Sequence, residues 1–399
     1  MYIKGVGCTK FDSQSDASQK LAYYAVSEAI EDSGISAKDI DAVIVSSSDA
    51  NSRGERQRLL PLIINDMLHL KVPVINCSAV CAGGGVALWT ANKLGRGLHK
   101  EIDNRKDTGT TNSKNDSTDY SAYDNLLVVG VDKLLLNSTF NMTDDIMVAG
   151  EYLYEQLEGL NFPAQYALAS QQHMLAYGTT KEDFSLVAFK NHENGFLNPK
   201  ARFYKKKITL KQIRDSPVVA SPLRLFDCST PANGAAAVIL SKEKTDIEIA
   251  GSGFSVDRLP VFESSDLTSW SSAKKAAEQA FREAKITPAD IDIAEVHDAF
   301  TPAEIIAYED IGFAKKGEGY KLIRDKSTFL DGKIPVNTSG GLKAKGHPIS
   351  ATGLSQIYEL TKQLRNEAGE RQVSNPKYAL SHNIGGAGSS SVVHILRKV

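Results

Sequence analysis

The chain has 399 residues, 42% hydrophobic and 24% charged, with a formal net charge of −2. That length exceeds the roughly 250 to 300 residues at which single cores stop growing, so two domains or a duplicated fold are expected; the charge balance excludes a nucleic-acid or membrane-surface binder. Cys8, Cys77, Cys81 and Cys228 are too few for a disulfide framework and form no CxxC pair, so no metal site is expected and a reducing cytoplasm fits.

In chain order, MYIKGVGCTKF reads at once as a strand, with no signal peptide before it and no apolar run of about 18 residues after it, so neither export nor membrane anchoring is expected. Residues 29–44, AIEDSGISAKDIDAVI, run from a helix end through a short loop to an apolar strand. Residues 280–295, AFREAKITPADIDIAE, repeat that pattern with Ala29, Ile35, Asp39, Ile40 and Asp41 matched by Ala280, Ile286, Asp290, Ile291 and Asp292.

In residues 73–93, PVINCSAVCAGGGVALWTANK, a strand passes through glycines into a helix and puts Cys81 at the helix start. There the helix dipole lowers a thiol pKa, and Gly83, Gly84 and Gly85 let a substrate carbonyl approach backbone N–H groups. Taken alone, such a cysteine fits an inert core position equally well. Residues 100–124 are polar and rich in Asn, Asp, Ser and Thr, a solvated surface insertion with no assigned chemistry. LLVVGVDKL, residues 126–134, reads as a buried strand. Residues 140–220 mix short helices with loops and interrupt the α/β pattern, a place to build a substrate pocket.

The second half repeats the theme: His347 stands at a Gly/Ser-rich turn opening a helix, and YALSHNIGG, residues 378–386, forms the strand that follows. This predicts two similar α/β halves, one of residues 1–139 plus 221–245 and one of residues 246–399, around the 140–220 insertion. His297 in AEVHDAF, His347, and Asn383 in SHNIGGAG lie at or beside strand ends, where loops of open α/β folds converge on ligands. Singly, each histidine reads equally as structural.

The motifs VCAGGGVAL, NHENGFLNPKARF, SPLRLFDCSTPANGAAAVILS, VHDAFTPAEIIAYEDIGF and NTSGGLKAKGHPISATG resemble the thiolase superfamily over nearly the whole chain, nearest its sterol-carrier-protein-type and archaeal acetoacetyl-CoA branch. The resemblance implies a five-layered αβαβα fold of two duplicated halves, coenzyme A thioesters as substrates with no permanent cofactor, and a homodimer or homotetramer. It implies Cys81 as the acyl-accepting nucleophile, His347 as its base, His297 as an oxyanion-hole donor in HDAF where NEAF is commoner, and Asn383 and Gly385 on the CxG turn. It further implies acetyl-CoA and acetoacetyl-CoA as ligands, and a complex with hydroxymethylglutaryl-CoA synthase through a small OB-fold and zinc-ribbon protein.

Arg202 and Lys205, in a basic cluster with Lys206 and Lys207, suit coenzyme A phosphates, although a solvated face suits them too. His192 in NHENG belongs to the same pocket region or caps a turn. Asp227 and Cys228 read as structural. The second, acid/base cysteine of typical thiolases is missing: Asn383 and Ala299 stand in its two customary places. Three readings follow: an acetoacetyl-CoA thiolase with a different second proton carrier, an acyltransferase with another acceptor, or a weakly catalytic scaffold subunit. A retro-aldolase is a fourth, against which the retained Cys81 argues.

Overall fold

The computed structural model describes residues 1–13, 15–48, 55, 57–97, 123–135, 139–259 and 261–399, with the side chains of residues 139–141 excepted. Of the 100–124 insertion, only Tyr123 and Asp124 fall within them.

Among the described residues, nine strands form one mixed sheet: β1 (Tyr2–Cys8), β2 (Ala42–Ser46), β3 (Val74–Asn76), β4 (Asn125–Lys133), β7 (Asn233–Ser241), β8 (Ile247–Val256), β9 (Ile293–Glu295), β10 (Tyr378–Gly385) and β11 (Ser390–Lys398). The strands β5 (Val218–Ala220) and β6 (Leu223–Arg224) make a separate pair. The helices are α1 (Ser18–Ser33), α2 (Leu60–Met67), α3 (Gly83–Arg96), α4 (Thr139–Met147), α5 (Phe162–Tyr177), α6 (Lys181–Leu197), α7 (Leu210–Arg214), α8 (Ser271–Ala284), α9 (Thr301–Ile311), α10 (Gly319–Arg324) and α11 (Thr352–Leu364).

The strand order β3-β2-β4-β7-β1-β8-β11-β10-β9 holds the same half-sheet twice. β2 pairs in parallel with β3 and β4, and β7 pairs antiparallel with β4 and β1. In the second half β9 pairs in parallel with β10, β11 pairs antiparallel with β10 and β8, and a parallel bridge from Ala294 to Val336 takes the place of β3. The halves join through a short ladder, Tyr2 to Glu248 and Ile3 to Ile247.

The sequence repeat has a physical cause. After α1, the Ser36 and Asp39 side chains cap a single helical turn; after α8, Thr287 and Asp290 do the same. Asp41 then accepts from the N–H groups of Asp124 and Asn125 at 2.9 and 2.8 Å, and Asp292 from those of Lys377 and Tyr378 at 2.8 and 2.9 Å. Each aspartate ties its incoming strand to the start of the neighbouring parallel one.

Three apolar cores separate five layers. One lies under α1 and α2 with Leu21, Val26, Val43, Val129 and Ile239. A second lies around α3 and α11, where Leu88, Leu354 and Ile357 meet Val128 and Val238 of one half and Ile293 and Leu396 of the other. The third lies beneath α8 and α9 with Ala276, Tyr308, Leu380 and Ile395. Both central helices contact strands of both half-sheets, which gives the αβαβα order. Because β2, β4 and β7 are covered on both faces, they read as nearly continuous apolar runs.

The segment between β4 and β7 carries α4 to α7 and the β5–β6 pair. Its helices are not all short: α5 has 16 residues and α6 has 17. α5 packs on α9 and β5, and its Tyr166 hydroxyl donates to the Gly386 carbonyl just past the end of β10. No described helix is long and apolar enough to cross a membrane.

Candidate active site

Cys81 occupies a single tight turn, Val80–Ala82, between β3 and α3. Val80 has φ of 46°, a left-handed conformation that costs a β-branched residue energy and persists only where packing dictates it. The following glycines do not open onto substrate. A Cβ on Gly83 would lie 2.2 Å from Ser46 Oγ and one on Gly84 2.7 Å from the Ser350 carbonyl, so they admit close packing of protein on protein. The Gly85 N–H donates to Asn383 Oδ1 at 3.2 Å and is likewise unavailable. The expectation that these three glycines cradle a carbonyl is therefore corrected.

A cavity of about 480 Å³ lies over the turn, lined by Cys81, His297, Ala299, His347 and Gly386 on one side and by apolar side chains of α4, α5 and the β5–β6 pair on the other. One ligand atom each of Cys81, His297 and His347 falls within 4.8 Å of the others. The two rings stand edge to face with centroids 5.4 Å apart.

Hydrogen bonds determine the tautomers. The Thr352 hydroxyl donates to the Pro348 carbonyl at 2.9 Å, so at its 2.7 Å contact with His347 Nδ1 it must accept. His347 therefore carries its proton on Nδ1 and keeps a lone pair on Nε2. Asn383 is oriented by Gly85 N–H on its oxygen and by the Cys81 carbonyl, 2.8 Å from its nitrogen. Its Nδ2 then donates to His297 Nδ1 at 3.1 Å, which leaves His297 with a proton on Nε2. One imidazole offers an acceptor and the other a donor. A metal ligand must present a lone pair, so His297 in this tautomer suits an oxyanion and not a cation.

Burial and then the Asp132 carboxylate push the Cys81 thiol up to about 12, against the backbone N–H groups of Cys81 itself and Gly386, which pull it down. The expectation of a thiol lowered toward neutrality at the helix start is thus overturned: burial and a buried carboxylate outweigh the dipole. Asp132 accepts from Ser48 N–H at 2.7 Å and from Ser350 N–H, tying β4 to the turn before α11. Burial, with Lys345, drives His347 down to about 3, and burial, with His347 and His382, holds His297 well below its usual range. The resting site is a neutral thiol between two neutral imidazoles.

Gly385 ends β10 and does not line the cavity; the next residue, Gly386, does, and its N–H reaches the Cys81 sulfur. Arg202 lines the cavity, 4.0 Å from Asp12. Lys205 does not: it pairs with Glu370 at 3.6 Å outside the cavity. His192 is also away from it, buried between Phe203 and Phe226 at 4.5 and 5.3 Å, with no hydrogen-bond partner for either ring nitrogen among the described residues. Asp298 of the HDAF motif accepts from Asn191 Nδ2 at 2.7 Å and Leu342 N–H at 2.6 Å, which clamps the π-helical turn Gly341–Lys345 that leads to His347. Thr352, Asp132 and Tyr166 went unsingled in the sequence. Only Thr352 had a signal, five residues after His347 in the same motif.

Residues 253–398 match the family described as "Thiolase C-terminal domain-like". The chain is 38% identical over 405 residues to an "Acetyl-CoA acetyltransferase" of Methanothermobacter thermautotrophicus, covering 99% of each. The chain belongs to the thiolase family. It is an acyltransferase that takes coenzyme A thioesters as substrates, as the family does. A "Sterol carrier protein 2" of Gallus gallus is similar at 31% identity, over 98% of this chain and 70% of that one. A solved structure described as "Ltp2-ChsH2(DUF35) aldolase" shares the thiolase fold with a TM-score of 0.77, at 23% identity over 100% of this chain and 97% of that one.

Proposed function

We propose that this thiolase-family enzyme is an acetoacetyl-CoA thiolase working through an acyl-Cys81 intermediate. The observation that carries the proposal is the pair of opposite tautomers around Cys81. His347 Nε2 accepts the thiol proton as the sulfur attacks a thioester or 3-keto carbonyl. The backbone N–H groups of Cys81 and Gly386, which reach the sulfur, meet the oxyanion of the resulting tetrahedral centre, each contributing roughly 2.7 to 4 kcal/mol. His297 Nε2–H meets the oxygen of the second thioester as it becomes an enolate. Arg202, in the cavity wall and 4.0 Å from Asp12, attracts the phosphates of coenzyme A.

The test is intact-protein mass measurement after mixing with acetyl-CoA, for the wild type and Cys81→Ala, alongside thiolysis of acetoacetyl-CoA by coenzyme A. An acetyl adduct lost in the variant, together with thiolysis by the wild type, is expected. An adduct without thiolysis moves the assignment to an acyltransferase with another acceptor, and no adduct moves it to a scaffold.

A thiolase of bulkier 3-ketoacyl-CoAs is a second reading, favoured by the cavity wall of Leu134, Leu135, Met142, Ile146 and Met147, more apolar surface than an acetyl group covers. Comparing thiolysis of acetoacetyl-CoA with that of a longer 3-ketoacyl-CoA separates the two.

Supply of acetoacetyl-CoA to a hydroxymethylglutaryl-CoA synthase through a bridging protein, for isoprenoid synthesis, belongs to the same proposal. The solved aldolase with its DUF35 partner supports the bridging element. Homo-oligomerisation is supported by the exposed apolar residues Tyr152, Leu153, Tyr154, Leu157 and Phe262, and residence in the cytoplasm by four unpaired thiols.

A further inference from the structure

Making or cleaving a carbon–carbon bond beside a thioester needs a second proton carrier besides the base of Cys81. Among the described residues, the titratable groups lining the cavity are Cys81, Tyr166, Arg202, Cys228, His297 and His347. His347 is engaged with the Cys81 proton, and His297 presents a fixed N–H. The Tyr166 hydroxyl donates to the Gly386 carbonyl at 3.0 Å, and burial raises its pKa beyond reach. Arg202 has no usable basic form. Cys228 remains.

Its backbone places it among the reacting groups. Cys228 bridges antiparallel to Phe300, and Ser229 N–H donates to the Ala299 carbonyl at 2.7 Å. Two residues later the Thr230 carbonyl accepts from His347 N–H at 2.9 Å. Residues 228–230 thus run as one extended piece between the HDAF motif and the GHP turn. The Cys228 thiol itself has only a weak contact, 3.5 Å to the Arg224 carbonyl.

A second observation is independent of the cysteine. Lys343 is 2% exposed, and its ammonium has no hydrogen bond or ion pair among the described residues, lying 5.3 Å over the Phe226 ring. A largely desolvated ammonium is stabilised by an anion that forms nearby. Burial lowers the Lys343 pKa to about 8 while Cys228, Asp227 and Asp298 pull it back up, and Lys343 is the leading influence opposing the burial that pushes Cys228 up to about 12.

We propose that Cys228 is the second acid/base of the reaction, standing across the bridge from Phe300, next to Ala299, with Lys343 stabilising its thiolate. The proposal rests on the thiolase assignment of the same site. In cleavage, His347 takes the Cys81 proton and the Cys81 sulfur bonds to the 3-keto carbon of acetoacetyl-CoA. The bond between C2 and C3 breaks, its electron pair passes to C2 as the enolate of acetyl-CoA, and the Cys228 S–H protonates C2. That leaves acetyl-Cys81, an imidazolium and the Cys228 thiolate facing Lys343. An incoming coenzyme A thiol gives its proton to Cys228, and its sulfur takes the acetyl group. The Cys81 sulfur leaves and recovers the proton from His347.

Two reactions separate this role from a structural one. Exchange of the acetyl group between acetyl-CoA and isotopically labelled coenzyme A needs only Cys81 and His347; thiolysis of acetoacetyl-CoA needs Cys228 as well. In Cys228→Ala and Cys228→Ser, thiolysis is expected to fall about 10²- to 10⁴-fold, while exchange stays within about threefold of the wild type and shows the site still folded. Lys343→Met is expected to follow the same split more weakly. Equal loss of both reactions in the two Cys228 variants, or no loss of thiolysis, overturns the proposal. A wild type that exchanges but does not cleave acetoacetyl-CoA overturns the thiolase assignment and this proposal together.

Discussion

Asn383 Nδ2 lies 3.1 Å from His297 Nδ1 and 2.8 Å from the Cys81 carbonyl, so one amide group holds both the nucleophile turn and the proton position of the neighbouring imidazole. The residue that stands where a typical thiolase has a cysteine is here a clamp. Its amide hydrogens fix which edge of His297 faces the substrate.

Asn383→Asp tests that relationship. A carboxylate accepts a hydrogen bond from Nδ1, pins the His297 proton there and turns an Nε2 lone pair toward the cavity. Loss of one oxyanion donor is expected to slow the reaction about 10²- to 10³-fold with little change in KM, read from thiolysis kinetics. An unchanged kcat would show that His297 Nε2–H does not meet the oxyanion.

The resting state is visible in pH dependence. With Cys81 pushed up to about 12 and His347 down to about 3, neither changes protonation between pH 6 and 9, so kcat/KM for acylation is expected to be level across that range. Alkylation of the Cys81 peptide by iodoacetamide should climb about tenfold per pH unit through the same range, since only the thiolate reacts. A plateau near pH 7 would reveal a resting thiolate–imidazolium pair instead.

Buried histidines also make the fold acid-sensitive. His192, His347 and His382 have pKa values driven down by burial to about 2, 3 and 3 from a usual 6.5. Below pH 6.5 the unfolded chain binds protons that the native one excludes, so their contribution is full above 6.5 and is lost as pH falls toward 3. Each costs up to about 1.4 kcal/mol per pH unit in that window. His192→Leu removes one such group between Phe203 and Phe226 without touching the cavity. Urea unfolding at pH 7.5, 6 and 5 should show a shallower acid decline, with thiolysis retained; loss of thiolysis would place His192 in the site.

Arg202 and Lys205 should differ although they are three residues apart. Arg202→Ala is expected to raise KM for coenzyme A thioesters about 10- to 150-fold with kcat preserved, through loss of a charge-assisted phosphate contact of about 1.5 to 3 kcal/mol. Lys205→Ala, which removes an exposed pair with Glu370, should leave KM within twofold. Equal effects would point to a diffuse basic surface.

A methyl group between the central helices would probe how closely the site depends on them. A Cβ on Gly353 would lie 2.4 Å from Gly85 N and 2.5 Å from Asn383 Oδ1. Gly353→Ala is expected to cost about 1 to 3 kcal/mol of stability and to lower kcat by displacing Asn383, measured by denaturant unfolding and thiolysis together. Full activity would show that the helices separate without moving the clamp.

The sequence by itself determined the family and the duplicated α/β architecture, and it brought Cys81 forward as the proposed nucleophile. Those follow from local patterns: apolar runs long enough for strands buried on both faces, a repeated Asp-Ile-Asp that caps and ties each half, and Cys81 at a strand-to-helix turn. It also brought His297, His347 and Asn383 forward, since each sits in a short motif. Only the tertiary structure decided their protonation. The tautomers of the two imidazoles depend on Thr352 and Asn383 and on where those partners' own hydrogen bonds go. The height of the Cys81 pKa depends on burial and on Asp132, supplied by a different strand. Cys228 read as structural because nothing in its neighbourhood along the chain marks it; an antiparallel bridge pairs it with Phe300, some 70 residues away, and its neighbours Ser229 and Thr230 bond to Ala299 and His347. His192 and Lys205 fell outside the cavity for the converse reason. A motif fixes a side chain's neighbours in sequence, whereas the direction it faces is decided by helix rotation and by what packs against it.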